Sequence, residues 1–345
     1  MQLIIEEKAL SRLHEYASKI SENFCIISDT NLAKQANDLA AQLKKHKLVC
    51  HVLIIPAGEK SKTFSVVEKI ISSLVKLNMR RDSAIIAFGG GVVGDVAGFV
   101  SSIYMRGIQF INIPTTVLAM ADSSIGGKTG IDLDEGKNLV GSFYDPELLL
   151  MDPLLLKSLP DKEFRNGFAE IIKHAIIRDK KFFTFLEKNN KLILARNQKL
   201  LVQVLKKSTA IKMAIVKSDP RESITKAKSL SGKCTSRMLV NYGHTVGHAI
   251  EKASNYTISH GQAISMGMVA ENRLAVEKNL LTEFEYEKIE QLLKLYGLPT
   301  RIPAQYADVS LKQYMLKDKK RVGKKLFFAL PRKIGNATLV AFDQN

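Results

Sequence analysis

SAIIAFGGGVVGDVAGF, residues 83–99, passes from a β-rich apolar run through Gly89-Gly90-Gly91 into a helix-compatible stretch bearing Gly94, Asp95 and Gly98. Gly89, Gly91 and Gly94 satisfy the spacing GxGxxG, in which a strand turns into a helix, the glycines admit a close backbone approach, and the first helical amides meet a phosphate. A glycine turn needed only for packing has the same spacing. The acidic residue about twenty positions further on, which grips a ribose in the standard layout, is missing. Asp29 instead closes an earlier strand candidate, FCIISDTN, and AGEKSK (57–62) closes another with Glu59 and Lys62. The carboxyl ends of parallel strands share one edge of a sheet, so these groups are placed to converge on one cofactor.

Outward from this turn, QLIIEE, FCIISD, VCHVLIIPAG, SAIIAFGGG, IQFINIP and LLLMD read as strands, with helical segments such as 32–45 and 64–79 between them. This alternation predicts a mostly parallel α/β sheet up to about residue 155. After SLPDKEF (158–164) the period becomes helical, over 163–178, 181–194, 197–217, 244–253, 261–279 and 284–296, with β-branched runs returning only in KLFFALP and ATLVAF. A helical second domain is therefore expected, with its boundary near Pro160. SITKAKSLSGKCTS (223–236) is polar and aperiodic and reads as a surface loop.

The chain has 345 residues, 46% hydrophobic and 25% charged, enough for a large core split over two domains. It contains no uncharged apolar run of about eighteen residues, and MQLIIEEKAL lacks the order of a signal peptide, so no membrane span and a cytoplasmic location are expected. Cys25, Cys50 and Cys234 have no CxxC spacing and read as inert thiols. A formal charge of +17 attracts phosphate-bearing partners. With 7% aromatic residues, no Trp and no standard nucleic-acid-binding signature, nucleic acid is not expected, and an anionic metabolite accounts for the charge at least as well.

MRGIQFINIPTTVLAMADSSIGGKTGID (105–132) is the densest polar stretch of the first domain. Its end resembles a phosphate loop, but GxxxxGK[ST] would require glycine where Asp122 stands, so an ATPase is not expected. Lys128 offers a point charge to an anionic substrate, and Asp122, Lys137 and Asn138 add groups of both kinds, although a solvated turn has the same composition. FRNGFAEIIKHAIIRD (164–179) sets Glu170 and Lys173 on one helix face, and NYGHTVGHAIE (241–251) sets His244 and His248 four apart. Thr245 occupies the place of a zinc peptidase's glutamate, which argues against a peptidase. With His260, four candidates exist for the three protein ligands of a catalytic Zn²⁺ or similar ion, and spacing does not choose among them.

PAGEKSK (56–62), GGGVVGDVAGFVSSIYMRG (89–107), IPTTVLAMADSSIGGKTGID (113–132), GKNLVG (136–141), GFAEIIKH (167–174), NYGHTVGHAIE and SHGQAISMGM (259–268) together resemble, in order and over essentially the whole chain, the 3-dehydroquinate synthase family. The resemblance implies a Rossmann-like NAD-binding α/β domain over 1–158, a helical metal- and substrate-binding domain over 159–345, and a homodimer. It implies a lyase that uses NAD and Zn²⁺ or Co²⁺ to convert a small sugar phosphate, 3-deoxy-D-arabino-heptulosonate 7-phosphate, into 3-dehydroquinate and phosphate in the shikimate pathway. The implied steps are oxidation, phosphate elimination, reduction, ring opening and aldol closure.

By matching motif, Glu170, His244 and His260 are the implied metal ligands, and His248 faces the substrate. Asp122, Lys128, Asn138, Lys173, Lys212, Arg237 and Asn241 surround the substrate, with Lys319 or Lys320 nearby and Arg106 reaching the phosphate from the other subunit. Asp29, Asn31, Glu59, Lys62, Gly90, Gly91, Asp95, Thr115, Thr116 and Lys137 form the implied cofactor set, which Lys128 also joins. The alternatives are another sugar phosphate cyclase, such as a 2-deoxy-scyllo-inosose synthase, and a metal-dependent polyol dehydrogenase. The stretch 221–237 is longer than its counterpart in the family, an insertion that costs only about 1 kcal/mol of closure entropy.

Overall fold

The computed structural model of the chain describes residues 1–220, 236–306, 310–316, 321–322 and 325–343. Lys319, Lys320 and nearly all of the 223–236 stretch lie outside the described residues. The chain divides into two compact units, Met1–Leu159 and Pro160–Asn345.

The strands of the first unit are β1 (Gln2–Ile5), β2 (Asn23–Asp29), β3 (Val49–Ile55), β4 (Ala84–Gly89), β5 (Gln109–Pro114), β6 (Lys128–Leu133), β7 (Gly136–Phe143) and β8 (Leu148–Met151). Six of them form one sheet in the order β1-β8-β5-β4-β2-β3, and every pairing is parallel. All six coincide with the apolar runs quoted above. Such strands are covered on both faces, which is why they read as unbroken apolar runs rather than alternating ones. Phe24, Ile26, Ile86 and Phe88 enter the core on one face with Leu39 and Leu43 of a helix. Cys25, Ile27, Ile85 and Ala87 enter the other, against Val67, Ile70, Val96 and Val100.

The helices of this unit are α1 (Leu13–Ala17), α2 (Ala33–Lys45), α3 (Phe64–Lys76) and α4 (Gly91–Ile103). In α2 the buried residues Ala36, Leu39, Ala40 and Leu43 recur at helical spacing, and Thr63 caps α3 by accepting from the Val66 amide. β6 and β7 form a separate antiparallel hairpin that the sequence reading treated as loop. Gly126 and Gly127, at φ +97° and +65°, turn the chain into it, so GGK opens a strand and caps no helix. Cys25 and Cys50 are buried free thiols and desolvation pushes both up to about 12, while Cys234 lies outside the described residues.

The second unit is built from α5 (Asp161–Arg178), α6 (Lys180–Leu194), α7 (Gln198–Ser218), α8 (His244–Ala253), α9 (His260–Glu277), α10 (Glu283–Leu295) and α11 (Ser310–Leu316). An antiparallel sheet of β9 (Arg321–Val322), β10 (Lys325–Lys333) and β11 (Asn336–Asp343) completes it. Side chains of Asp179, Asn197 and Thr282 cap α6, α7 and α10, and Ser259 with Gln262 forms a capping box on α9. Phe168 stacks on Tyr296 at 4.8 Å and meets Phe164 at 5.2 Å, locking α5 to the end of α10. No helix among the described residues is long and apolar enough to cross a membrane.

Candidate active site

The glycine turn stands where the strand order reverses. β2 and β4 are neighbours, but the chain leaves β2 toward β3 on one side and leaves β4 toward β5 on the other. Parallel sheets bind ligands in the crevice that this reversal opens at the carboxyl ends of the strands. Asp29 ends β2 there, and Gly89 ends β4. α4 starts with Gly90 at its N-cap, no side-chain cap and no acidic residue in its first turn, which suits a bound phosphate.

The two explanations of the glycines divide by position. A Cβ on Gly89 would lie 2.6 Å from Val93 Cβ, and one on Gly98 would lie 2.4 Å from Thr129 Cγ2, so these two serve packing. Gly90 and Gly91 line a small cavity with Gly94, Asp95, Asn112 and Ser123. A Cβ on Gly91 would enter it 3.0 Å from Ser123 Oγ. The residues present therefore fit a pyrophosphate-bearing cofactor.

Beside this cavity Lys62 is buried, with its Nζ 2.9 Å from Asp95 Oδ2, bonded to Asn138 Oδ1, and 3.7 and 3.8 Å from Glu59 and Asp132. Burial alone would lower the Lys62 ammonium, but Asp95, Glu59 and Asp132 hold it above its ordinary value. Burial pushes the Asp95 carboxyl up to about 6, against the pull of Lys62. Lys137 reaches Glu59 at 3.3 Å. The Asn31 amide donates to Asp29, the Thr115 amide to the Gly89 carbonyl, and the Ala119 amide to the Thr116 hydroxyl, so these three residues shape the strand ends. Asn138, assigned to the substrate by resemblance, thus stands in the Lys62 cluster at φ +54°.

In the second unit the donors of a metal site come from three helices. Glycines permit their approach: a Cβ on Gly261 would lie 1.9 Å from the Asn166 carbonyl of α5, and one on Gly267 would lie 2.1 Å from the Gly243 carbonyl before α8. His244 Nε2 stands 3.6 Å and His260 Nε2 3.5 Å from Oε1 of Glu170. Donors held at about 2.0–2.2 Å on one tetrahedral ion lie about 3.4 Å apart, so this spacing fits a divalent cation such as Zn²⁺. Each imidazole faces an acceptor through its other nitrogen. His244 Nδ1 lies 3.1 Å from the Tyr242 carbonyl, and His260 Nδ1 lies 3.4 Å from both oxygens of Glu251.

These acceptors leave both Nε2 atoms facing Glu170. His248 differs. Its ring lies 5.2 Å from that of His244, but its Nε2 faces Glu251 at 4.0 Å, and its side chain is 41% exposed against 11% for His244. Without a cation, burial would lower the His260 imidazolium, but its bonds to Glu170 and Glu251 raise it to about 10. A metal must therefore displace a proton from Nε2.

Glu170 pairs with Lys173, and both are fully buried. Lys212 on α7 is buried, as is Arg237, whose guanidinium donates to the Pro220 carbonyl at 2.7 Å. Asn241 ends the short turn Arg237–Asn241 just ahead of α8. In the first unit Asp122 lies in the turn Ala119–Ser123, Lys128 opens β6, and Arg106 is exposed at φ +67°.

Two buried carboxylates escaped the sequence reading. Glu251 lies within the quoted NYGHTVGHAIE at i+3 from His248 and i+7 from His244, one helix face, and that spacing was the available signal. Glu271 of α9 accepts from the amides of Gly243, Thr245 and Val246, and so caps α8 from outside. A lone acid in the apolar run SMGMVAENRLA was its only mark.

Residues 52–166 match the family described as 3-dehydroquinate synthase N-terminal, and residues 167–321 match 3-dehydroquinate synthase C-terminal. The chain is 39% identical to the 3-dehydroquinate synthase of Thermodesulfovibrio yellowstonii over 97% of its length and 91% of that protein's. Among solved structures it is similar to a 2-epi-5-epi-valiolone synthase from Streptomyces hygroscopicus subsp. jinggangensis with NAD⁺ and Zn²⁺ bound. That match has a TM-score of 0.88 and 26% identity, over 99% of this chain and 93% of the other. It is also similar to a 2-deoxy-scyllo-inosose synthase complexed with carbaglucose-6-phosphate, NAD⁺ and Co²⁺, with a TM-score of 0.84 and 28% identity, over 99% and 93% of the two chains. The chain belongs to the 3-dehydroquinate synthase family.

Proposed function

We propose that the chain is a lyase converting 3-deoxy-D-arabino-heptulosonate 7-phosphate into 3-dehydroquinate and phosphate in the cytoplasm, with NAD and Zn²⁺ or Co²⁺. Its membership of the family and 39% identity to a 3-dehydroquinate synthase support this substrate over those of the cyclases similar at 26–28%. The observation that carries the metal assignment is the convergence of two imidazole Nε2 atoms on one Glu170 oxygen.

In this reading Glu170, His244 and His260 hold the cation, and Gly90, Gly91, Asp95, Lys62, Glu59, Asp29 and their neighbours hold NAD. When bound, the nicotinamide takes and returns a hydride, and the divalent ion acidifies the hydroxyl it holds. His248 is partly exposed beside that set and meets the substrate. Lys128, Lys173, Lys212, Arg237 and Asn241, with Asp122 and Asn138, supply the charge and hydrogen bonds that stabilise a phosphate dianion and then an enolate.

Purified protein given NAD, Zn²⁺ and the heptulosonate phosphate is expected to release phosphate with no net NADH. Release only from a hexose phosphate would favour a related cyclase, and net NADH would favour a polyol dehydrogenase.

The same reading makes the chain a homodimer. Ile103, Met105 and Phe143 are exposed apolar residues beside Arg106, and the Ser142–Ser102 hydrogen bond ties the β7 end to the α4 end. Met105 and Arg106, both exposed, hold positive φ angles in this turn. Phe143→Glu is expected to shift the protein to monomer in sedimentation velocity and to abolish phosphate release, since Arg106 acts across the dimer. A monomeric wild type would reject this part.

A further inference from the structure

We infer that Glu251 is the positioning residue of the metal centre, orienting His260 Nε2 toward Glu170 while holding His248 away from the cation. The inference rests on the reading of Glu170, His244 and His260 as the ligand set. Glu251 is buried, and its two oxygens lie at equal distances of 3.4 Å from His260 Nδ1, a bifurcated contact that fixes the ring plane. Its Oε2 also faces His248 Nε2 at 4.0 Å, one helical turn back.

Glu251, His248 and His260 form a second group of donor atoms, so their exclusion as the ligand set needs a reason. A cation there would take His260 through Nδ1, and the 4.0 Å between His248 and Glu251 exceeds the edge of about 3.4 Å that one tetrahedral ion imposes. The Glu170 set, at 3.5 and 3.6 Å, does not exceed it by as much. His260 therefore keeps Nδ1–H as a donor to Glu251 and presents Nε2, a tautomer that a carboxylate acceptor fixes and makes more basic. His244 Nδ1 faces the neutral carbonyl of Tyr242, whereas His260 Nδ1 faces a carboxylate, so the two ligand histidines are oriented by different acceptors. His248, drawn to the same carboxylate, stays on the exposed side, available to substrate.

The test is Zn²⁺ affinity of the full chain, stripped of metal and titrated against a chromogenic chelator, with Co²⁺ absorption as a second readout. Glu251→Gln keeps an acceptor oxygen without charge and is expected to weaken Zn²⁺ binding about tenfold, while Glu251→Ala weakens it about a hundredfold, and both change the Co²⁺ bands. His248→Ala is expected to bind Zn²⁺ as the wild type does. Wild-type affinity and Co²⁺ bands in both Glu251 variants would overturn the proposal, as would equal losses in His248→Ala and Glu251→Ala, which would make both residues ligands. If the Gln variant does not fold, Glu251→Asp carries the same test: intermediate affinity is expected, and wild-type affinity overturns it. Zn²⁺ uptake that persists in Glu170→Gln would instead refute the ligand set itself.

Discussion

Glu170→Gln and His244→Ala are each expected to lose bound metal and phosphate release, while His248→Ala keeps its metal and loses about 10²-fold in kcat. The first two remove donors that converge on one point, and metal analysis of the purified variants checks the loss. His248 Nε2 faces Glu251 rather than Glu170, so its removal leaves the three converging donors in place and acts on the reacting substrate. The two metal-loss variants differ in stability. Glu170 and Lys173 are both fully buried and paired, and removing one charge strands the other at about 3–5 kcal/mol. Glu170→Gln therefore melts well below the metal-free wild type, and His244→Ala melts close to it. Adding Lys173→Met to Glu170→Gln is expected to restore much of the stability and none of the metal binding. Equal metal loss in the His244 and His248 variants would show that the pair acts together and would undo the division between them.

That division shows what sequence can and cannot carry. The parallel sheet was legible because strands buried on both faces must be apolar throughout, a local property of six short runs. The glycine turn was legible as a motif, but the separate duties of its residues were not. Gly98 packs on Thr129 across thirty-one positions, and only the hairpin β6–β7 makes that contact. The hairpin itself stayed hidden because polar residues and glycines outnumber its apolar ones and it follows two positive-φ glycines, which reads as loop.

The choice among four metal candidates could not be made from spacing, since His244 and His248 are equivalent at i and i+4 until their ring nitrogens acquire partners. Those partners are a backbone carbonyl and Glu170 of another helix for His244, and a carboxylate three residues on for His248. Glu251 and Glu271 are buried acids whose cost of burial is offset by imidazole and amide donors. Burial of that kind follows from tertiary packing and leaves only a faint mark in composition.

Lys62→Met is expected to cost about 3 kcal/mol of stability at pH 8, and much less at pH 5. Lys62 is the buried cation among Asp95, Glu59 and Asp132, so its loss leaves these carboxylates facing one another, with Asp95 and Asp132 partly buried. The sign of the pH effect follows from Asp95. Its carboxyl stands at about 6 in the folded protein against an ordinary 3.8, so its contribution to folding is full below 3.8 and is lost as pH rises through about 6. Lys62, held above 10.5, contributes throughout the working range below that value. Without Lys62, Asp95 loses the charge that pulls its carboxyl down and moves further up, so the variant's loss of stability starts from the same ordinary value but continues to a higher pH and goes deeper than in the wild type. Once Asp95 is protonated in both, the difference shrinks to what Glu59 and Asp132 still draw from Lys62, because a neutral carboxyl no longer needs the ammonium. Urea unfolding at the two pH values checks this, and an equal difference at both would mean that Asp95 is not coupled to Lys62. The same variant should lose NAD affinity at pH 8, since Lys62 fixes Asp95 and Asn138 beside the Gly90–Gly91 cradle. A variant that kept NAD affinity while losing stability would confine Lys62 to the fold.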